Sequence, residues 1–125
     1  MVKILIVDDE PDILFILKNA LKKEGYDIVE MTSGNECLLK IEEIKPDLVI
    51  LDIMMPDIDG WEVCKRIKES FKDIPVSMLS VRKSEDSIEK SLKYANADRH
   101  LTKPIKIEEV RRTVKQLVAI QARDN

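Results

Sequence analysis

Short aliphatic runs alternate along the chain with stretches in which apolar residues recur every three or four positions. The aliphatic runs predict five strands, at residues 4–7, 26–31, 48–51, 76–79 and 99–102. A run that is apolar at every position is typical of a strand covered on both faces, as in parallel sheets. The pattern therefore favours a parallel sheet buried between helices.

A helix is predicted after each strand from apolar residues at helical spacing. The first carries Ile13, Ile16, Leu17, Ala20 and Leu21 and ends at Gly25; the second carries Cys37, Leu38, Ile41 and Ile44; the third Val63, Ile67 and Phe71; the fourth, residues 84–94, only Ile88, Leu92 and Ala95; the fifth Ile107, Val110, Val114, Leu117 and Val118. Five strands that are each followed by a helix indicate one α/β domain with helices on both faces of the sheet. The expected domain covers residues 1–122, and residues 123–125 are expected to fray.

Composition and charge narrow the class of protein. The chain has 125 residues, of which 44% are hydrophobic and 36% charged, as expected for one folded globular domain. Its formal net charge of -3 gives no global positive field for nucleic acid, and its apolar runs are too short to span a bilayer. Cys37 and Cys64 show no metal or redox spacing. We expect a cytoplasmic protein without direct nucleic-acid or membrane partners.

Polar side chains stand where four of the predicted strands end. Asp8 and Asp9 follow the first strand, Asp52 the third, Ser80 the fourth and Lys103 the fifth. Ligands of open parallel sheets bind at the carboxyl ends of the strands, where these residues would meet. A single aspartate there is more often a helix cap, but capping does not explain five such residues at four strand ends.

The residue types predict phosphoryl chemistry. Three carboxylates held together repel one another unless a cation binds, and oxygen ligands favour a hard ion, of which Mg²⁺ is the best candidate. Asp52 is the predicted nucleophile, and its attack on phosphorus would form an acyl phosphate. Mg²⁺ and Lys103 can neutralise the transferring group, while the Ser80 hydroxyl can donate to one of its oxygens.

Several ordered motifs resemble the receiver domains of two-component response regulators, including stand-alone chemotaxis-type receivers. The motifs are IVDDEP at residues 6–11, PDLVILDIMMP at 46–56, DG at 59–60, PVSMLS at 75–80 and LTKP at 101–104. Each motif alone is modest, but the ordered set is specific and covers essentially the whole chain. The resemblance implies a flavodoxin-like (βα)5 three-layer sandwich whose five-stranded parallel sheet has the order 2-1-3-4-5.

The resemblance also implies roles for individual residues. Asp52 would accept a phosphoryl group from a phosphohistidine of a sensor histidine kinase or a histidine phosphotransfer protein. Mg²⁺ would be held by Asp9, Asp52 and the backbone carbonyl of Met54, with Asp8 acting directly or through water. Ser80 would be the switch hydroxyl and Lys103 the phosphoryl-pairing lysine. Pro104 would follow through a cis peptide bond.

Two residues depart from the usual receiver pattern, and two others would influence how long the phosphoryl group lasts. Val81 replaces a small residue beside the switch hydroxyl, where a branched side chain could narrow access to Asp52. His100 replaces the usual switch aromatic, and two readings stay open: a ring that turns inward, or a partly exposed ring without a coupling role. Met54 and Arg82 would flank the path of the hydrolytic water, so we hypothesise that they hinder it and prolong the phosphorylated state.

The output surface implied by the resemblance is formed by the fourth helix, the fifth strand and the fifth helix. Its mixed charge favours a downstream effector protein or output domain, or a phosphorylation-dependent dimer, over DNA. The chain is expected to be regulatory rather than a conventional enzyme. A phosphatase of the haloacid dehalogenase type would need a second aspartate where Met54 stands, and a phosphorylation-independent pseudo-receiver would not need the five strand-end residues. The sequence leaves open whether the chain is a stand-alone receiver or a piece of a longer regulator.

Overall fold

The sheet has the predicted strands and the predicted strand order. The computed structural model describes the backbone of residues 1–124 and the side chains of residues 1–121, so the predicted frayed tail at 123–125 lies outside the residues described in full. The strands are β1 (Lys3–Val7), β2 (Asp27–Met31), β3 (Leu48–Asp52), β4 (Val76–Ser80) and β5 (Arg99–Thr102). They are parallel in the order β2-β1-β3-β4-β5.

Helices cover both faces of this sheet. They are α1 (Pro11–Lys22), α2 (Gly34–Ile44), α3 (Gly60–Ser70), α4 (Glu85–Glu89), which continues into a π-helical segment (Lys90–Tyr94), and α5 (Ile107–Asp124). Apolar residues of α2 and α3 pack on one sheet face, and those of α1 and α5 pack on the other. The three-layer α/β prediction is therefore confirmed. Within the described residues, no helix is both long and apolar enough to cross a membrane.

The inward face of α1 differs slightly from the prediction. Leu14 is buried with Leu17 and Leu21, whereas Ile16, which was assigned to this face, is 42% exposed. These three leucines follow at intervals of three and four residues and so share one face of the helix, and Ile16 projects about a quarter turn away from it. The periodicity located the helix correctly and misassigned one edge of its apolar stripe.

The fourth helix contradicts its predicted apolar stripe more clearly, at every position except Ala95. Ser87, Ser91 and Ala95 are the buried residues, whereas Ile88 is half-buried and Leu92 is exposed. Small side chains let this helix lie close to its neighbours, and the Ser91 hydroxyl is satisfied by hydrogen bonds to distant residues. A buried serine with good partners is stable in a core, but hydrophobicity alone assigns it to the surface.

Candidate functional site: the carboxylate cluster at the strand ends

The acidic cluster forms because β1 and β3 are neighbours. Val7 is paired with Leu51 in the parallel register, so the next residues of the two segments, Asp8 and Asp52, lie side by side. Ligand oxygens of Asp8, Asp9 and Asp52 all lie within 4.8 Å of one another. Asp8 and Asp52 are buried, while Asp9 is exposed at the mouth of the site. The structure thus brings together the three acids that the sequence placed at two different strand ends.

Lys103 extends from the end of β5 into this cluster. Its Nζ lies 3.1 Å from Asp8 Oδ2 and 3.7 Å from Asp52 Oδ2, and its side chain is only 7% exposed. The peptide bond between Lys103 and Pro104 is cis, as the resemblance implied. Nζ also lies 3.4 Å from Glu10 Oε2, a partner that the sequence analysis missed although Glu10 directly follows the acidic pair.

The electrostatics of the cluster follow from burial and crowding. Burial and, second, the neighbouring Asp8 charge raise the pKa of Asp52 to about 7, against the opposing effect of Lys103. Burial likewise raises the pKa of Asp8. Burial alone would lower the pKa of Lys103, but its close pairing with Asp8, followed by the charges of Asp52 and Glu10, produces a net rise. The lysine therefore stays charged, and ionisation of the Asp8 and Asp52 carboxyl groups is less favourable than in water.

The donor set fits a hard divalent cation. Asp8 Oδ2 is buried and, although Lys103 Nζ lies 3.1 Å away as an ion-pair partner, it receives no well-directed hydrogen bond. A buried carboxylate oxygen without such a bond is costly, and a bound cation would satisfy it. One buried lysine among three carboxylates leaves negative charge to neutralise, and oxygen ligands are those that Mg²⁺ prefers.

Ser80 lies at the end of β4, fully buried. Its Oγ accepts a hydrogen bond from the Arg82 backbone N–H at 3.1 Å. The Arg82 side chain lines a cavity of about 530 Å³ beside the cluster, together with Asp9, Met54, Met55, Pro56 and Trp61. Val81 is 58% exposed and is not among the residues lining this cavity. Met54 and Arg82 thus border the open side of the site, whereas Val81 does not line the cavity.

The half-buried His100 side chain is hydrogen-bonded through both ring nitrogens. Nδ1 lies 2.8 Å from Ser91 Oγ, and Nε2 lies 2.8 Å from the Arg82 carbonyl oxygen. His100 is partly exposed, and the two readings that the sequence left open both stay predictions. Ser91 was missed as a partner because nothing in the local pattern distinguishes it from the exposed polar residues of the same helix.

The fold and this cluster define the class of protein. A family model of the response regulator receiver domain matches residues 4–115, and the chain belongs to this family. It is therefore a receiver domain of two-component systems, a regulatory domain that binds Mg²⁺ at an acidic pocket, here the cluster of Asp8, Asp9 and Asp52.

Individual relatives agree with this assignment. The chain is 40% identical over 116 residues to the alkaline phosphatase synthesis transcriptional regulatory protein PhoP of Bacillus subtilis, covering 93% of this chain and 48% of that protein. It thus spans about half the length of the curated relatives it matches. A CheY-like receiver domain protein from Methanospirillum hungatei superposes with a TM-score of 0.94 at 29% identity, covering 100% of this chain and 99% of that one. The response regulator TrrA of Thermotoga maritima, crystallised with Mg²⁺-BeF, superposes with a TM-score of 0.85 at 40% identity, covering 94% of this chain and 99% of that one.

Proposed function

We propose that this domain accepts a phosphoryl group on Asp52 from a phosphohistidine of a sensor histidine kinase or a phosphotransfer protein. The observation that carries the proposal is the buried Asp52 carboxylate, which lies against two other acids with Lys103 Nζ only 3.7 Å from its Oδ2. In the reaction a carboxylate oxygen attacks phosphorus and the phosphorus–nitrogen bond of the donor breaks. An acyl phosphate forms on Asp52 and the imidazole leaves.

The residues around Asp52 supply what this reaction requires. Asp9, Asp52 and the Met54 carbonyl would hold Mg²⁺, with Asp8 binding directly or through water. The bound ion supplies positive charge that neutralises phosphoryl oxygens. Lys103, held by Asp8 beside the acceptor, pairs with the phosphoryl group, and the Ser80 hydroxyl donates to another of its oxygens. The Mg²⁺-BeF complex of TrrA supports this assignment by similarity.

The proposed output surface comprises α4 with its π-helical segment, β5 and α5. Its charges include Arg99, Lys106, Arg111, Arg112 and Lys115 against Asp98, Glu108 and Glu109, and α4 with its π-helical segment adds Glu85, Asp86, Glu89, Lys90 and Lys93. Several are already neutralised within the domain, since Asp98 pairs with Lys68 and Arg111 with Glu24 and Glu108. Such a surface suits a protein partner, either an effector, an output domain or a second copy in a phosphorylation-dependent dimer, more than nucleic acid.

Incubation with phosphoramidate and Mg²⁺ tests the proposed function. We expect one phosphoryl group per chain, on the peptide that contains Asp52, and none when EDTA replaces Mg²⁺. Mass spectrometry of the intact chain and of its peptides measures both. A chain that stays unlabelled would point to a phosphorylation-independent interaction module, and a label on another residue would contradict the role given to Asp52.

A double replacement, Met54→Ser with Arg82→Ser, is expected to shorten the lifetime of the phosphoryl group. Both side chains border the cavity at the open side of the site, and Met54 is 50% exposed there. Small polar residues would admit and orient water, and we expect decay about ten-fold faster, equivalent to about 1.4 kcal/mol in the barrier. Phosphate release from the purified phosphorylated domain measures the rate. Leu92→Ser, an exposed replacement on the π-helical segment, is the control, and an unchanged decay in the double variant rejects the hypothesis.

A further inference from the structure

The loop between β3 and α3 is held by hydrogen bonds more than by packing. It carries the Met54 carbonyl that is proposed to bind Mg²⁺, and four of the seven residues 53–59 are exposed. An exposed segment opens easily unless hydrogen bonds fix it. At the start of the loop the Met54 N–H donates to Asp52 Oδ1 at 3.3 Å, and at its end the Gly60 N–H donates to the Ile53 carbonyl at 2.7 Å. These two bonds fix the ends of the loop and leave its middle to other contacts.

Asp57, in the middle of this loop, is hydrogen-bonded to the first turn of α2. Its Oδ2 accepts a hydrogen bond from the Asn35 N–H at 2.8 Å, and its Oδ1 accepts one from the Gly34 N–H at 3.4 Å. The bond from Asn35 is the main cause that lowers the pKa of Asp57, so the carboxylate is ionised at neutral pH. A charged acceptor is favourable at this place, because the dipole and the free N–H groups of a helix N-terminus both attract it.

The start of α2 depends on Asp57 for two of its hydrogen bonds. The first four N–H groups of a helix have no acceptor within the helix. Ser33 accepts from the third and the fourth of them, through its side chain and its carbonyl. The first two belong to Gly34 and Asn35, and within the described residues their acceptor is Asp57. Packing adds a further contact, because a Cβ on Gly34 would lie only 2.5 Å from Ile58 Cγ2. The loop and the start of α2 are therefore joined by both hydrogen bonds and close packing.

We propose that Asp57 is a positioning residue for Mg²⁺, which anchors the β3–α3 loop to α2 and so keeps the Met54 carbonyl in place beside Asp52. This inference rests on the proposed function, in which that carbonyl is a ligand. Asp57 is not a member of the carboxylate cluster and acts through the loop. A loop that is correctly placed for only part of the time lowers the apparent affinity for the ion by that fraction. Coupling between two sites is reciprocal, so bound Mg²⁺ stabilises the hydrogen bonds between Asp57 and α2 in return.

Titration of the unphosphorylated chain with Mg²⁺ tests this role. Trp61 is the only tryptophan and lines the same cavity as Met54, so its fluorescence can follow the titration. Asp57→Ala is expected to weaken Mg²⁺ binding about five-fold, the effect of losing one net hydrogen bond. Asp57→Asn removes the same charge but keeps an acceptor, so it should weaken binding less. Ser33→Ala is the matched control, because it removes the side-chain cap of the same helix without altering the loop. It should destabilise the domain and leave Mg²⁺ affinity unchanged.

A second readout does not depend on any variant. Exchange of the Asn35 amide proton with solvent, followed by NMR, is expected to slow when Mg²⁺ binds the unaltered chain. Normal Mg²⁺ affinity in Asp57→Ala, an equal loss in Ser33→Ala, or an Asn35 exchange rate indifferent to Mg²⁺ would each overturn the inference. Equal losses in Asp57→Ala and Asp57→Asn would also overturn it, because the missing charge would then explain the weaker binding. Failure of the unaltered chain to bind Mg²⁺, or undiminished binding by Asp52→Asn, would instead overturn the proposed function.

Discussion

Replacing Asp52 with asparagine is expected to abolish phosphorylation and to stabilise the metal-free domain above neutral pH. Burial and the Asp8 charge raise the pKa of Asp52 from 3.8 to about 7. Between these two pH values the folded domain binds a proton that the unfolded chain has released, so the stability of the metal-free domain falls as the pH rises through this window. Asparagine does not ionise, so the variant does not lose this stability. We expect the loss in the unaltered metal-free domain to reach about 1–3 kcal/mol at pH values above the pKa of Asp52.

Urea unfolding in EDTA at pH 5 and at pH 8 measures the effect. The advantage of Asp52→Asn over the unaltered chain should be larger at pH 8 than at pH 5, because pH 5 lies in the lower part of this window. Mg²⁺ should restore the stability of the unaltered chain at pH 8, because a ligand that binds only the folded state stabilises that state. Equal stabilities at pH 8 in EDTA would contradict the electrostatic account.

Asp57→Asn serves as the control, because its expected effect on stability has the opposite sign. The Asp57 carboxylate accepts hydrogen bonds from the backbone N–H groups of Asn35 and Gly34 at the start of α2. The bond from Asn35 is the main cause that lowers the pKa of Asp57. Its contribution to stability is present above the ordinary aspartate pKa and is lost as the pH falls through the lowered value. Asp57→Asn should therefore destabilise the domain at both test values, whereas Asp52→Asn stabilises it at the higher one.

Gly60→Ala is expected to be among the most damaging single changes in the chain. Gly60 begins α3 and its N–H donates to the Ile53 carbonyl at 2.7 Å. A Cβ there would press into the carbonyl oxygen of Asp52, well inside van der Waals contact, and would lie 2.8 Å from the Ile53 Cα. These are backbone atoms, which cannot swing aside, so the end of β3 must shift. We expect a loss of about 3 kcal/mol or more and weaker Mg²⁺ binding, because Asp52 moves with its carbonyl.

Comparison with Gly25→Ala distinguishes the effect of steric crowding from that of backbone strain. Gly25 has a φ of +90°, and a Cβ there would meet nothing within 4 Å. Its replacement should lose about 1 kcal/mol through strain alone and leave Mg²⁺ affinity unchanged. Thermal unfolding and Mg²⁺ titration of both variants make the comparison. Equal losses of stability, or an unaltered Mg²⁺ affinity in Gly60→Ala, would refute the proposed steric coupling between Gly60 and Asp52.

The apolar pattern predicted the fold well because parallel strands buried on both faces must be apolar throughout. Helices α2 and α3 begin after residues of the usual capping types, Ser33 and Asp59, whose side chains accept hydrogen bonds from the first turn. The helix after β4 was the exception, because its buried face is made of Ser87, Ser91 and Ala95. Hydrogen bonds to residues far along the chain allow a serine to be buried there, and local hydrophobicity contains no information about such partners.

The sequence by itself determined which residues reach the carboxyl edge of the sheet. Once the strands are parallel, the residues that follow them must emerge on one side, and Asp8, Asp9, Asp52 and Lys103 do so. Only the tertiary structure decided how these groups act on one another. The raised pKa of Asp52, the pairing of Lys103 with Glu10, and the hydrogen bond between His100 and Ser91 depend on burial, distance and direction. Those quantities arise when separate strands and helices pack together, and no stretch of sequence specifies them alone.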